Sequence, residues 1–234
     1  MLLNLNEFHQ NNRKLYLVFM KRIQTFIFSF LLCTSLFSQS IEGKSISQVF
    51  EVPDVSPEAL FSEIHYVLSL IYQDSDTAIK FKDDVTKRIV VKALSLIPVR
   101  DAYKLMNPNN TELSDYIDYG HNYTLVIQVK EGKYRIKMSY EDGTYSDAQL
   151  IEYKLPFPAK MDFDETDLEQ IIKKAQLEMS QDYYSITSRK KKEIYIQSQP
   201  LVVKEYQQTL TNYAMIFFQS LYKKVLEGFQ EDNW

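Results

Sequence analysis

Apolar and polar residues alternate along two neighbouring segments near the middle of the chain, and this pattern predicts a β-hairpin. The segments 123–130 and 133–140 each alternate with a period of two, and the Glu-Gly dipeptide between them forms a two-residue turn. In that register Ile127 lies opposite Ile136, and one face of the hairpin is apolar throughout. The other face is polar and carries four basic side chains: Lys130, Lys133, Arg135 and Lys137.

Apolar residues at intervals of three and four predict three helices. One runs over 57–71, one over 164–180, and a long one begins at Pro200 or Leu201 and ends before Gly228. Each helix presents a single apolar stripe, which indicates that one of its sides packs against the rest of the fold.

Capping residues mark the ends of these helices. Ser56 is a favourable N-cap, and Pro57 after it suits the first helical position. Thr166 and Glu169 have the spacing of a capping box at the start of the second helix. Gly228 is expected to lie just beyond the end of the long helix.

Short segments of β-branched and apolar residues predict further strands. Residues 47–52 form the first of these, 78–82 and 88–96 the next two, and 149–154 a short one after the hairpin. Pro98 is expected to end the strand at 88–96, because proline lacks the N–H that a central strand donates.

Polar connections separate the predicted elements. The segment 98–118 is rich in Asn, Asp, Pro and Ser and is expected to be a long connection with one helical turn near 101–106. The polar segment 181–199 follows the second helix and contains a weak strand-like stretch at 193–197. Its basic run at 189–192 is expected to be a solvated loop.

An apolar run close to the N-terminus has the form of a secretory signal peptide. The run covers 26–37, is preceded by Lys21 and Arg22, and is followed by small and polar residues at 38–40. It is shorter than the ~20 residues that span a bilayer, so a signal anchor is the weaker alternative. A buried helix is a third interpretation of this apolar run. Residues 1–40 are therefore predicted to be removed during export.

Met20 stands directly before the two basic residues, as the first residue of a signal peptide would. Translation is therefore predicted to start at Met20, and residues 1–19 are interpreted as the result of a mis-assigned start codon. No repeat or linker is evident beyond the signal segment, so 41–234 is predicted to form a single domain. We expect the protein to be exported to the periplasm or the outer surface of a Gram-negative bacterium. Its mature form is expected to carry no transmembrane anchor.

Removal of the signal segment changes both the charge and the cysteine content of the protein. The whole chain has a net charge of −4 and a single cysteine, Cys33, which lies within the apolar run. Residues 1–38 contribute four basic residues and one acidic residue, so 23 basic and 30 acidic residues remain and the net charge becomes −7. A cysteine-free acidic chain excludes a disulfide framework and argues against a nucleic-acid partner.

The order of the predicted elements, β-α-β-β-β-β-α, resembles a known family. The features that carry this resemblance are a signal peptide, the segment 49–53, an amphipathic helix, and a hairpin with the residues 132–135 at its turn and second strand. The chain is similar, over roughly residues 46–145, to a family of secreted bacterial domains of unknown function with a TATA-binding-protein-like fold. The resemblance implies an α+β fold in which helices pack on one face of a curved antiparallel sheet of about five strands. The helix at 164–180 is then an insertion before the long C-terminal helix. The resemblance implies no established activity and no catalytic residues.

Motifs for common catalytic and metal sites are not found. The five glycines form no phosphate-binding loop, and no nucleophile elbow occurs. His9, His65 and His121 lack metal-ligand spacing and are interpreted as surface or boundary residues. The acidic residues at 162–169 lack the glycine and glutamate positions of a calcium loop and are interpreted as charges at a helix N-terminus. No catalytic residue, metal ion or cofactor is therefore assigned.

The polar face of the hairpin is the candidate ligand-binding surface, and ordinary surface lysines are the other explanation of it. The predicted function is that of an exported, non-enzymatic domain that binds a protein, peptide or cell-envelope ligand through this sheet face or through surface tyrosines. The alternative is a hydrolase or other enzyme with a carboxylate site, which requires a pocket with two or more perturbed acids.

Overall fold

The computed structural model describes residues 39–146, 152–180 and 186–231. Within them the chain forms eight strands: β1 (Gln39–Glu42), β2 (Ser45–Glu51), β3 (Ile79–Asp83), β4 (Arg88–Arg100), β5 (Tyr116–Lys130), β6 (Lys133–Tyr140), β7 (Thr144–Ser146) and β8 (Glu152–Lys154). It also forms five helices: α1 (Pro57–Ile71), α2 (Ser75–Ala78), α3 (Ala102–Met106), α4 (Glu165–Ser180) and α5 (Arg189–Glu231). Apart from Gln39 and Ser40, which belong to β1, the predicted signal peptide lies outside the described residues.

The strands pair antiparallel in one sheet, and the α+β prediction is confirmed. The strand order is β1-β2-β6-β5-β4-β3, and β7 joins β5 to β8 beside this path. The path has six strands where about five were expected. The unexpected one is β1, which pairs with β2 at one edge of the sheet. The predicted strand at 149–154 is present as β8, and residues 149–151 lie outside the described part.

The hairpin of β5 and β6 has the register that the alternation predicted. Ile127 pairs with Ile136, and Lys130 pairs with Lys133 at the turn. Gly132 in that turn has a φ of 62°, a left-handed conformation that a side chain with a Cβ adopts only at a steric cost. Because β2 pairs with the free side of β6 and β4 with that of β5, the hairpin forms the centre of the sheet.

Helices α1 and α5 cover one face of the sheet, as the resemblance implied. The side chains that point toward these helices alternate along the central strands and are buried, as Ile127 and Ile136 are. α1 contributes Ile64 and α5 contributes Leu210 to the same main core. The largest fully buried side chains in it include Tyr134, Tyr206, Phe50, Phe61 and Phe218.

The helix caps agree with the sequence pattern at α1 and differ from it at α4. The hydroxyl of Ser56 accepts a hydrogen bond from the backbone N–H three residues ahead, as predicted. At α4 the capping box is formed by Asp164 and Asp167, and the carboxylate of each accepts from the backbone N–H of the other. The predicted box of Thr166 and Glu169 is wrong because α4 begins ahead of both residues.

Strand β4 is longer than predicted and continues through Pro98 to Arg100. β3 pairs with β4 only as far as Val91, so beyond that residue β4 has β5 as its one paired neighbour. A proline is tolerated along such an edge because its missing N–H interrupts no ladder there. The predicted connection after residue 98 is correspondingly shorter, and its helical turn is confirmed as α3.

Helix α5 begins at Arg189, well before the predicted start at Pro200 or Leu201, and it also continues past Gly228. Pro200 lies inside the helix, although proline cannot donate the backbone hydrogen bond that an interior position needs. Neither the proline nor the glycine bounds this helix, so both end predictions are wrong.

The first part of α5 includes two segments for which other structures were predicted. The basic run at 189–192 is largely exposed, as predicted, but it is helical rather than a loop. The predicted strand-like stretch at 193–197 is also helical, so that prediction is wrong. Tyr195 from this part is buried in a second, smaller core that joins α5 to α3 and α4. Burial of such a helix face supplies stability that its polar sequence does not indicate.

None of the described helices combines the length and the apolar composition that a membrane-spanning helix requires.

Candidate ligand-binding face of the sheet

One side of the sheet faces away from α1 and α5, and we call this side the open face. Its side chains alternate with the buried core residues and are exposed or half-buried, so the described helices leave it accessible. The open face comprises outward residues of six strands: Ser40 and Glu42 of β1; Ser45, Ser47, Val49 and Glu51 of β2; Lys133, Arg135, Lys137 and Ser139 of β6; Asn122, Thr124, Val126, Gln128 and Lys130 of β5; Arg88, Val90, Lys92, Leu94 and Leu96 of β4; Phe81 and Asp83 of β3.

The four predicted site residues all lie on the open face. Lys130 and Lys133 flank the hairpin turn and pair with each other across it. Arg135 and Lys137 follow along β6, two and four residues beyond the turn, and all four side chains are exposed. The fold therefore brings the predicted residues together, because they belong to one hairpin whose alternation is regular.

Two further cations on this face were not part of the predicted set. Arg88 pairs with Gln128, and Lys92 pairs with Thr124, so both side chains point to the same side as the hairpin cations. The alternation of the segment that became β4 places Arg88 and Lys92 on one face of that strand. Nothing in the sequence, however, showed that this strand would pair with β5.

Apart from Lys130, which lies beside the hairpin turn, the cations form two rows, and the stretch of β5 between these rows is neutral. We call Lys133, Arg135 and Lys137 the β6 row, and Arg88 and Lys92 the β4 row. Since neighbouring strands are about 4.8 Å apart, the two rows are roughly 10 Å apart. The outward residues of β5 between the rows are uncharged: Thr124, Val126 and Gln128.

The cations of the open face have no acidic partners among the described residues, where no carboxylate lies within 4.0 Å of either row. Arg135 donates a hydrogen bond to the side-chain oxygen of Gln128. Elsewhere several basic side chains do contact carboxylates: Lys44 reaches Asp142 at 2.7 Å, Lys87 reaches Glu58 at 3.2 Å, and Arg100 reaches Glu205 at 2.6 Å. Glu51 pairs across the strands with Lys133, and Asp83 pairs with Arg88, yet neither carboxylate lies within 4.0 Å of its cation. With Glu42 included, the open-face residues named above have six basic and three acidic side chains, an excess of positive charge on an acidic protein.

A concavity of about 360 Å³ lies where the β4 row ends, and it is lined by Lys92, Ala93, Leu94, Asn122, Tyr123 and Glu141. Lys92 and Glu141 both border it without forming an ion pair at 4.0 Å or less. Glu141 is the one carboxylate in this lining. The concavity therefore does not supply the pair of acids that the alternative enzymatic function requires.

His121 is a core residue, and its interpretation as a surface or boundary residue is wrong. Its side chain is 0% exposed. Nδ1 lies 3.1 Å from the carbonyl oxygen of Glu141, and Nε2 lies 3.5 Å from the hydroxyl of Tyr206. Burial lowers the pKa of His121, so the imidazole is neutral at pH 7. These contacts give the ring a packing role.

No group of three or more His, Cys, Asp or Glu side chains in the described ranges is placed to hold a metal ion. The acidic residues at 162–169 bind other parts of the chain. Asp162 accepts a hydrogen bond from the N–H of Gly43 at 2.7 Å, and Asp167 contacts Lys160. Besides capping α4, this cluster joins the turn after β1 to the segment before that helix.

The solved structures that are similar to this chain include two described by their family or fold. A DUF4468 family protein from Bacteroides ovatus ATCC 8483 is 15% identical, with a TM-score of 0.35, and the match covers 47% of this chain and 59% of that protein. A TBP-like protein from Parabacteroides distasonis ATCC 8503 is 13% identical, with a TM-score of 0.44, and the match covers 79% of this chain and 93% of that protein. None of the curated proteins compared with the chain matches it.

A family model matches the part of the chain that contains the open face. The match covers residues 47–140, and its description is a domain of unknown function (DUF4468) with a TBP-like fold. It agrees with the resemblance seen in the sequence over roughly 46–145, and it includes both strands of the central hairpin. The resemblance predicted from the sequence is therefore confirmed: residues 47–140 match the family model of the DUF4468 domains of unknown function with a TBP-like fold.

Proposed function

We propose that this protein is an exported, non-enzymatic binding domain whose open face binds an anionic partner at the cell envelope. Export is supported by the signal-peptide pattern at 1–40. Binding is supported by the arrangement of the described residues, in which helices pack on one face of the sheet and leave the other face accessible. The match to a family of unknown function adds no activity to this argument.

The observation that carries the proposal is the excess of positive charge on the open face, whose cations form no ion pair within the described residues. A protein that carries more acidic than basic residues offers many carboxylates, yet none within the described residues contacts the β4 or β6 row. Cations that lie together and outnumber the acidic residues around them repel one another, and an anionic partner reduces that repulsion. Such attraction also steers the partner toward this face, and it weakens as ionic strength rises.

The partner's charge is tested with dextran sulfate as a soluble polyanion. Binding to the mature chain is measured by calorimetry at low and at raised salt. The test variant replaces Arg88, Arg135 and Lys137 with glutamine. The matched control removes the same charge from the exposed helix residues Lys173, Lys204 and Lys224. We expect the test variant to lose most of the binding, the control to keep it, and salt to weaken it. Equal binding by both variants, or no binding at low salt, would overturn the proposal.

Export is tested separately by expression of the full chain in a Gram-negative host. We expect mass spectrometry of the envelope fraction to find a product that lacks the apolar segment at 26–37. A protein that stays in the cytoplasm with that segment intact would overturn the export part of the proposal and leave the binding part standing.

A further inference from the structure

We propose that the anionic partner is an extended acidic polypeptide segment that lies along β5, with the pattern acidic-x-apolar-x-acidic. The inference rests on the proposed anion-binding function of the open face and adds the class of the ligand and its sequence pattern. Three lines of residues that run across the strands carry the inference, and we number them as the first, second and third row, distinct from the β6 row and the β4 row that run along the strands. Each contains one residue from β6, one from β5 and one from β4: Arg135–Gln128–Arg88, Lys137–Val126–Val90 and Ser139–Thr124–Lys92.

The first row presents two guanidinium groups on either side of a neutral residue. Gln128 pairs with Arg135 of β6 and with Arg88 of β4, and both arginines are exposed. Asp83 of β3 pairs with Arg88 on its other side, but the carboxylate of Asp83 accepts hydrogen bonds from its own turn and forms no ion pair with Arg88. Arg135 already donates a hydrogen bond to Gln128, so its side chain extends toward β5. A carboxylate placed above Gln128 is about one strand spacing, roughly 5 Å, from each arginine. Guanidinium groups bind carboxylates with two parallel hydrogen bonds, which favours this position for an acid.

The second row is apolar on β5 and β4. Val126 and Val90 pair directly, and both are half-buried. An apolar side chain above Val126 removes the surface of both valines from water, whereas a carboxylate there loses hydration against them. Lys137 at the β6 end of this row has a long side chain that reaches toward an acid in either neighbouring row.

The residues of the third row are all polar. Thr124 pairs with Lys92 on β4 and with Ser139 on β6. A carboxylate above Thr124 is attracted by the ammonium group of Lys92 and lies within reach of the threonine hydroxyl. The second acidic position of the pattern falls here.

The spacing of the three rows is the spacing of an extended polypeptide. Successive rows are two residues apart along β5, which corresponds to roughly 6.8 Å. An extended chain points every second side chain to the same side at this same interval, so its residues i, i+2 and i+4 fall above the three rows in turn. A polypeptide strand therefore meets all three rows without stretching or bending.

Other linear polyanions fit the open face less well. Single-stranded nucleic acids use a series of aromatic platforms for their bases, whereas the open-face residues named above include one aromatic ring, Phe81 of β3, which pairs with Val90. A sulfated glycan carries charge along its whole length and would place a charge above Val126 and Val90. The alternation of charged and apolar rows thus favours the polypeptide.

The inference is tested with two fluorescent peptides of about twelve residues, chosen to span the outward residues of β5. One repeats Glu-Thr-Val-Thr, and its isomer has the same composition with the glutamates contiguous. Binding to the mature chain is followed by anisotropy at low salt. We expect the repeating peptide to bind about tenfold more tightly than the isomer, because it makes one or two additional charge-assisted contacts.

Variants locate the interaction on the predicted rows. The double variant R88Q/R135Q should abolish the preference for the repeating peptide, and V126T should reduce it while retaining a β-branched side chain. Removal of helix charges, as in K173Q/K204Q, should leave the preference unchanged. All these side chains are exposed except that of Val126, which is half-buried, and circular dichroism checks that each variant is folded.

The outcomes separate this inference from the proposed function. If both peptides and dextran sulfate bind equally through the open face, anion binding stands and the polypeptide pattern is overturned. If a single-stranded oligonucleotide binds more tightly than the repeating peptide, the partner class is overturned. If nothing binds at low salt, both proposals fail.

Discussion

Replacement of Gly143 by alanine is expected to destabilise the fold strongly, because the site has no room for a methyl group. Gly143 is buried between the ring of His121 and the side chain of Leu155. A Cβ at this position would lie 2.2 Å from Cε1 and 2.4 Å from Nε2 of His121, and 2.7 Å from Cδ1 of Leu155. The φ of Gly143 is not in the left-handed region, so the expected cost arises from the clash alone.

The residues that surround Gly143 have little freedom to move away from an added methyl group. The His121 ring is fully buried, bonded to the carbonyl of Glu141, and packed 5.7 Å from the ring of Tyr206 between centroids. The carbonyl of Gly143 itself accepts from the N–H of Leu155 at 3.0 Å, which anchors the backbone. Overpacking of about 1–3 kcal/mol, plus about 1 kcal/mol for a displaced hydrogen bond, gives an expected loss of about 2–4 kcal/mol.

Gly228 offers a matched control. A Cβ there would lie 2.0 Å from Oε1 of Glu63, which is the far end of a flexible side chain. Gly228 is inside α5, where alanine gains up to about 1 kcal/mol in helix propensity. Urea unfolding followed by circular dichroism should therefore place G228A within about 1 kcal/mol of the parent protein.

The same measurement should show a much lower stability for G143A, with a melting temperature lower by roughly 5–15 °C. If G143A unfolds within about 0.5 kcal/mol of the parent, the contact with His121 does not restrict this site and the reasoning is refuted. A larger loss for G228A than for G143A would also refute it.

Three further predictions concern protonation, capping and the long helix. Burial lowers the pKa of His121 in the folded protein, so the unfolded chain takes up a proton first as the pH falls through about 6.5. The free energy of unfolding should therefore hold above pH 7 and fall below about 6.5, and H121F should show a shallower decline in urea titrations; an unchanged slope would contradict this. At α4, D164A should cost about 1 kcal/mol and T166A less than about 0.5, because Asp164 rather than Thr166 caps the helix. Equal losses would restore the sequence-based assignment. In α5, P200A should stabilise the protein by about 1–2 kcal/mol in thermal melts, since it restores a backbone donor within the helix, and a lower melting temperature would argue against this.

The central hairpin was predictable because its determinants are local. A two-residue turn sets which residues pair, and the strict alternation assigns one face to the core. Ile127 therefore pairs with Ile136 as expected, and the four predicted cations lie on the opposite face. The N-cap Ser56 was predictable for the same reason, since a capping side chain acts within its own first turn.

The errors occur where distant parts of the chain decide the local structure. Pro98 continues a strand because β3 ends its pairing before that point, and the length of β3 cannot be read at residue 98. The polar first part of α5 is helical around Tyr195, which is buried against residues from α3 and α4. Propensity and periodicity describe a segment in isolation, and these contacts override them.

Local sequence patterns were sufficient to predict the hairpin, the first helix, the family resemblance and one row of cations, because these depend on residues within a few positions of each other. Only the tertiary structure placed Arg88 and Lys92 beside that row, since the pairing of β4 with β5 joins segments separated by a helix and a connection. The tertiary structure also showed that the cations of this face contact no acids in the described residues. Charge pairing depends on distances through space, whereas a sequence records only distances along the chain.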